Sequence, residues 1–239
     1  HELPAAPAGL PDPCEIASAA NLQDALALPV QGYRGGINPD TRADISATSC
    51  GAGGKNLLTD ANLRPGSDVL VIRRADTNIL ARPGGIAESG AFYIQASGTQ
   101  AEVQVGGGAA IGTTNKADGA TPSTIFRNPS TPPVPPLPAP MRKLHVHVYF
   151  VAPCSVGGAS VVIAGVTVTG ICQNGDDSIP TLKRLELFTT GGATVMRIVA
   201  LVEGIEYFKI EYGIDTLPDV VSVATFLKGD STVDSFTAT

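Results

Sequence analysis

Two histidines, His145 and His147, stand one residue apart in the stretch KLHVHVYFV (Lys143–Val151), where Val146 and Val148 alternate with them. Alternation with period two is the mark of a strand, so both imidazoles share one face, and such a pair can offer two nitrogens to a metal ion. A protein zinc site needs at least a third ligand, and the only other histidine in the chain is His1. A carboxylate could complete the set, but no spacing places one there, so the pair reads as structural or exposed histidines, with a metal site as the alternative. Other chemistry is thinner still. Ser155 beside Cys154 has no triad spacing to the histidines, and Glu203/Glu206 and Asp176/Asp177 read as turn and surface residues. Gly106–Gly108 is not followed by Gly-Lys-Ser/Thr, so it reads as a flexible loop and not as a phosphate cradle. No nucleophile elbow, HExxH or dinucleotide fingerprint occurs. The expectation is a protein that is not an enzyme and carries neither cofactor nor metal.

Four cysteines, Cys14, Cys50, Cys154 and Cys172, form no CxxC pair and have no histidine at metal-ligand spacing. An even number of cysteines in a turn-rich chain favours two structural disulfides and an oxidising compartment over free cytosolic thiols. Four cysteines allow three pairings. The local pairing, Cys14–Cys50 with Cys154–Cys172, is expected because each bond closes a loop within one region.

The elements that must position these residues are strands. Gly and Pro number 27 and 19, and charged residues make up only 16%, a composition suited to short strands joined by many turns. Asp68–Arg74, with Val69, Val71 and Arg73 facing one way and Leu70 and Ile72 the other, predicts a central strand. Ala91–Ala96 and Ala101–Val105 predict a hairpin, and so does Ala159–Gly170, its ends tied by Cys154–Cys172. In LKRLELFTTGGATVMRIVALVEGIEYFKIEYGID (Leu182–Asp215), two strands flank a Gly191-Gly192 turn, and a short helical or irregular step leads into a third strand that alternates through Ile205, Tyr207, Lys209 and Glu211.

Residues 1–66 read as a loop-rich region packed on the sheet domain, with a short helix in Ala17–Leu28 capped by Ser18 and turns at Asn38–Asp40 and Gly51–Gly54. Residues 67–239 form the β-rich part, interrupted by the proline-rich 128–140, which reads as an extended connector. The fold class is mainly β, with antiparallel sheets and short helical segments, in one structural domain. With 22 Asp and Glu against 16 Lys and Arg, the basic footprint of a nucleic-acid binder is missing. The chain starts at His1 without the layout of a signal peptide, so it reads as a processed product or a fragment.

The wording of several stretches carries a resemblance. LVEGIEYFKIEYGID (Leu201–Asp215), LRPGSDVLVIRRA (Leu63–Ala75), VQGYRG (Val30–Gly35) and YFVAPCS (Tyr149–Ser155) resemble, in order, stretches of the PilW family of type IV pilus minor pilins. The resemblance implies an α+β pilin-like fold whose N-terminal helix, with its prepilin cleavage motif and inner-membrane anchor, lies upstream of His1. It implies a function in priming pilus assembly at or near the tip, on the periplasmic side of the bacterial inner membrane and in the extracellular pilus. The implied partners are other minor pilins and a tip-associated adhesin. The family's acidic, glycine-containing turn and closing strand are not matched by Asp215–Asp219, so that strand is expected to be absent or supplied by another molecule; Val220–Leu227 is a candidate strand, and the tail to Thr239 reads as terminal. Alternatives are a J-type pseudopilin of a type II secretion system and a secreted adhesive or carbohydrate-binding β-domain. The latter would use exposed aromatics, yet Trp is absent.

Overall fold

The computed structural model describes residues 10–35, 45, 48–51, 54–98, 100–127, 137–214 and 235–238. The architecture is mainly β and antiparallel, with one short α-helix among the described residues. Its hub is β5 (Met141–Ala152). This strand pairs with β2 (Val69–Ala75) over Leu144–Tyr149 and with β8 (Thr181–Thr190) over His147–Ala152. Its first residues, Met141–Lys143, pair instead with β3 (Phe92–Ala96). The opposite edge there is held by the chain leaving β2, where Asp76 N–H donates to Lys143 O at 2.7 Å and Leu80 N–H to Met141 O at 2.9 Å. β3 and β8 therefore take successive lengths of one edge of β5, and the sheet forks. β1 (Val30–Tyr33) extends β2, β4 (Ala101–Val105) extends β3 and β9 (Ala193–Glu203) extends β8, which completes a seven-stranded sheet.

Local sequence explains the joints. Gly191 and Gly192 take φ of 57° and 80°, the left-handed pair that a two-residue hairpin turn needs between β8 and β9. β6 (Ala159–Ile163) and β7 (Val166–Ile171) form a separate hairpin that lies against β9, with Gly170 beside the Ile198 side chain. The helix α1 (Ala19–Ala25) starts where Ser18 Oγ accepts from Asn21 N–H at 3.2 Å.

One face of the sheet carries the main core. Val69, Val71, Leu144, Val146, Val148, Phe150 and Leu185 are all buried on it. Each such side chain contributes about 1.5–3 kcal/mol by leaving water. A smaller core, with Ala87, Ala91, Tyr93, Ile111, Ala117 and Met141, sits at the β3 end.

Three expectations change. The region 1–66, expected as a loop-rich layer packed on the sheet domain, goes further in its described residues. It supplies β1 to the sheet, and Cys14, Ile16, Leu22, Tyr33, Ile45, Leu57 and Leu58 to the main core. The sheet's inner face needs an apolar cover, and this region provides it. Second, the irregular step expected before the third strand is longer and takes in the alternating set from Ile205, so that the strand itself is only β10 (Glu211–Ile214). Gly204, at φ 78°, turns the chain out of β9, and the N–H groups of Phe208 and Ile210 are taken by Ser67 and Asp68 side chains instead of a neighbouring strand. Third, the tail carries a strand, β11 (Ser235–Ala238), antiparallel to β10 in a two-stranded sheet of its own. The turn at Asn38–Asp40, the middle of the Gly51–Gly54 turn (Ala52 and Gly53), most of the proline-rich 128–140, Asp215–Asp219 and Val220–Leu227 lie outside the described residues.

Candidate functional site

Both local disulfides are formed: Cys14–Cys50 across 36 residues and Cys154–Cys172 across 18. The first ties the N-terminal loops beneath the sheet, and the second joins the end of β5 to the end of β7. Beside the second lies Lys183, only 1% exposed, on the core face of β8. Its Nζ donates to Gly170 O at 2.9 Å and sits 3.6 Å from each sulfur of the disulfide. Burial pushes this ammonium below its ordinary pKa.

The histidines share the opposite face of β5, as alternation requires. His145 Nε2 meets Asp76 Oδ2 at 2.9 Å, and His147 Nδ1 lies 3.3 Å from the Tyr149 hydroxyl. The backbone N–H of Asn78, together with His145, holds the Asp76 carboxyl down to about 2. Burial, with Arg184 and His145 nearby, pushes His147 down to about 4, against the smaller opposing pull of Glu186. Glu186, level with His147 on β8, is clasped by Arg184 and Arg197, and the Arg197 guanidinium lies 4.0 Å over the Phe188 ring. Among the described residues, no three His, Cys, Asp or Glu side chains gather at metal-binding reach. The stripe works as a cross-strand polar ladder on the outer face.

A second cluster is built from residues that spacing alone did not single out. Asp68, 1% exposed at the entrance to β2, accepts from Gly35 N–H at 2.8 Å, Ile210 N–H at 2.9 Å and Lys209 Nζ at 3.1 Å. Ser67 Oγ accepts from Phe208 N–H at 2.9 Å, and Asp68 N–H donates to Phe208 O at 2.8 Å. Gly35 presses on the Ser67 backbone so closely that a Cβ would overlap it. Arg64 N–H donates to Val151 O at 2.9 Å. One carboxylate thus gathers the chain before β2, the chain after β1 and the segment after β9. The available signal was a carboxylate opening an apolar strand, which a buried docking role explains better than a surface role.

Among the described residues the sheet has three free edges, and they differ. β1 is only four residues long and follows Pro29. At β4, Gln23 of α1 acts as a substitute strand: its Nε2 donates to Ala101 O at 2.8 Å, and its Oε1 accepts from Val103 N–H at 2.6 Å. β9 is eleven residues long and has a strand partner on one side alone among the described residues. Its end is apolar and open, with Leu201 and Val202 39% and 50% exposed and Tyr207 beyond them 57% exposed. Short length, proline and a covering side chain blunt the first two edges, whereas the third is a row of backbone groups flanked by apolar side chains. No helix among the described residues is long and apolar enough to cross a membrane.

Comparison with protein-family models, with curated proteins and with solved structures found no match to this chain.

Proposed function

We propose that this chain is the sheet domain of a PilW-type minor pilin, and that it works by association, with the β9 edge receiving a neighbouring subunit. The observation that carries this reading is the meeting at Asp68. The stretches Val30–Gly35, Leu63–Ala75 and Leu201–Ile214, which resemble the family, are held together there by one set of hydrogen bonds, and Tyr149–Ser155 joins them through Arg64 and the β2 pairing. Separate fragments that coincide by chance have no reason to form one structural unit. The clamp also fixes the exit of β9, and so the direction in which its open end points. An added strand would gain main-chain hydrogen bonds along β9 and apolar contact at Leu201 and Val202. On this reading the partners are other minor pilins and a tip-associated adhesin.

The test is a pulldown of this domain against the periplasmic domains of other minor pilins, with the double variant Leu201→Lys/Val202→Lys in parallel. Both side chains are exposed, so the variant folds, and two lysines on an edge oppose strand addition. Specific capture by the native chain, weakened at least about tenfold in the variant, is expected. Capture of no pilin domain, together with binding to a glycan array, would replace assembly with an adhesive role. Capture only by type II secretion pseudopilins would move the protein to that machine.

A further inference from the structure

A cavity of about 390 Å³ opens beside the smaller core, between the chain leaving β2 and the chain entering β5. Its walls are largely apolar, with Leu80, Leu137, Pro140 and Met141 among them, and two guanidinium groups, Arg82 and Arg127, complete the lining. Among the described residues no Asp or Glu lines it. Neither arginine forms an ion pair among the described residues. The sequence from Asn128 to Leu137 contains no carboxylate that could supply one.

Arg82 is the sharper observation. Among the described residues its buried Nε and Nη1 have no hydrogen-bond partner, and its Nη2 meets the Met141 sulfur at 3.8 Å. A thioether is a weak acceptor, so two nitrogens of this part-exposed guanidinium have given up water without gaining acceptors in return. Burial alone sets the direction of its pKa, which is downward, and no carboxylate opposes it. The protein as a whole carries a net charge of −6, so an anion drawn to this place is drawn by these two side chains and not by the overall field.

We infer that the cavity is a binding site for a small organic carboxylate, whose charged end lies between Arg82 and Arg127 and whose apolar body rests on Leu80, Leu137 and Met141. The volume falls within the roughly 300–1,000 Å³ of small-molecule pockets. Inorganic phosphate would satisfy the arginines but leave oxygens against apolar walls, whereas a carboxylate on an apolar stem matches both parts of the lining. A free acid and the C-terminal carboxylate of another chain share this chemistry. The site does not depend on the pilin reading.

The chain contains two methionines, Met141 in the cavity wall and Met196 in the main core, so methyl-labelled methionine gives one reporter and one control. The native chain is titrated with N-acetyl-leucine, with the uncharged N-acetyl-leucinamide, with inorganic phosphate and with a leucine-terminated peptide. Saturable movement of the Met141 signal by the acid, with Met196 unmoved and with amide and phosphate at least about tenfold weaker, is the expected result. Arg82→Gln abolishes the response and Arg127→Gln weakens it, while an unchanged Met196 signal shows that each variant is folded. Tighter binding of the peptide assigns the carboxylate to a chain end, tighter binding of the free acid assigns it to a small molecule, and either supports the site. An equal response to the amide or to phosphate, or titrations unchanged in both variants, overturns it.

Discussion

His147 shows how much a single side chain can be set by its neighbours. Its folded pKa of about 4 lies below the roughly 6.5 of an unfolded chain, because the charged form would be buried beside Arg184 and His145. The unfolded chain therefore takes up the proton first. The stabilisation is complete above about pH 6.5 and is lost as the pH falls towards about 4, a change of about 3 kcal/mol. His147→Gln is expected to flatten this part of the curve of urea midpoint against pH, which is measurable by fluorescence or circular dichroism. A native midpoint that stays constant between pH 7 and pH 4.5 would refute the assignment. Alternation in the sequence was enough to place both imidazoles on one face. The same period brings Tyr149, two residues on, to that face, but it could not say that Asp76 waits there, because that contact depends on the turn after β2.

At the level of elements, the strands that alternate cleanly were legible: β2, the β3–β4 and β6–β7 hairpins, β5, and the β8–β9 pair with its two glycines. The segment after β9 was not, because its alternating residues imitate a strand while its backbone is satisfied by side chains of the β2 entrance. β1 was hidden for a different reason: Val30–Tyr33 contains a glycine and has too few apolar residues to show a period, and its place comes from pairing with β2. Asp68→Ala tests this account of the segment. The substitution leaves the N–H groups of Gly35 and Ile210 without their acceptor and is expected to cost about 2–4 kcal/mol, with little of that from Lys209, whose side chain is half exposed. Hydrogen exchange should quicken at Phe208 and Ile210 before it does in β8. Uniform acceleration over the whole sheet would mean that the segment is not a separate docking unit.

For the molecule as a whole, the inward-facing side of the sheet is closed by chain that precedes it. Residues from Cys14 to Leu63 supply a large part of the main core, so a chain beginning at Arg64 is expected to lose cooperative folding, seen as collapse of dispersed amide signals and loss of a thermal transition. Retention of both would mean that the sheet stands without its cover. Composition foretold the β class but not this arrangement, because a loop that packs by way of scattered apolar residues and a disulfide has no period to read. The position of β5 has one more consequence. Every branch of the fork needs this strand, yet it begins at Met141, after β1, β2, β3 and β4. During synthesis the β1–β2 and β3–β4 pairs can form first, but nothing joins them until this strand arrives, and pairings between such distant segments form slowly, in milliseconds to seconds. Until β5 emerges the two pairs stay apart, a period in which chaperones and proteases reach them before the joining contacts form.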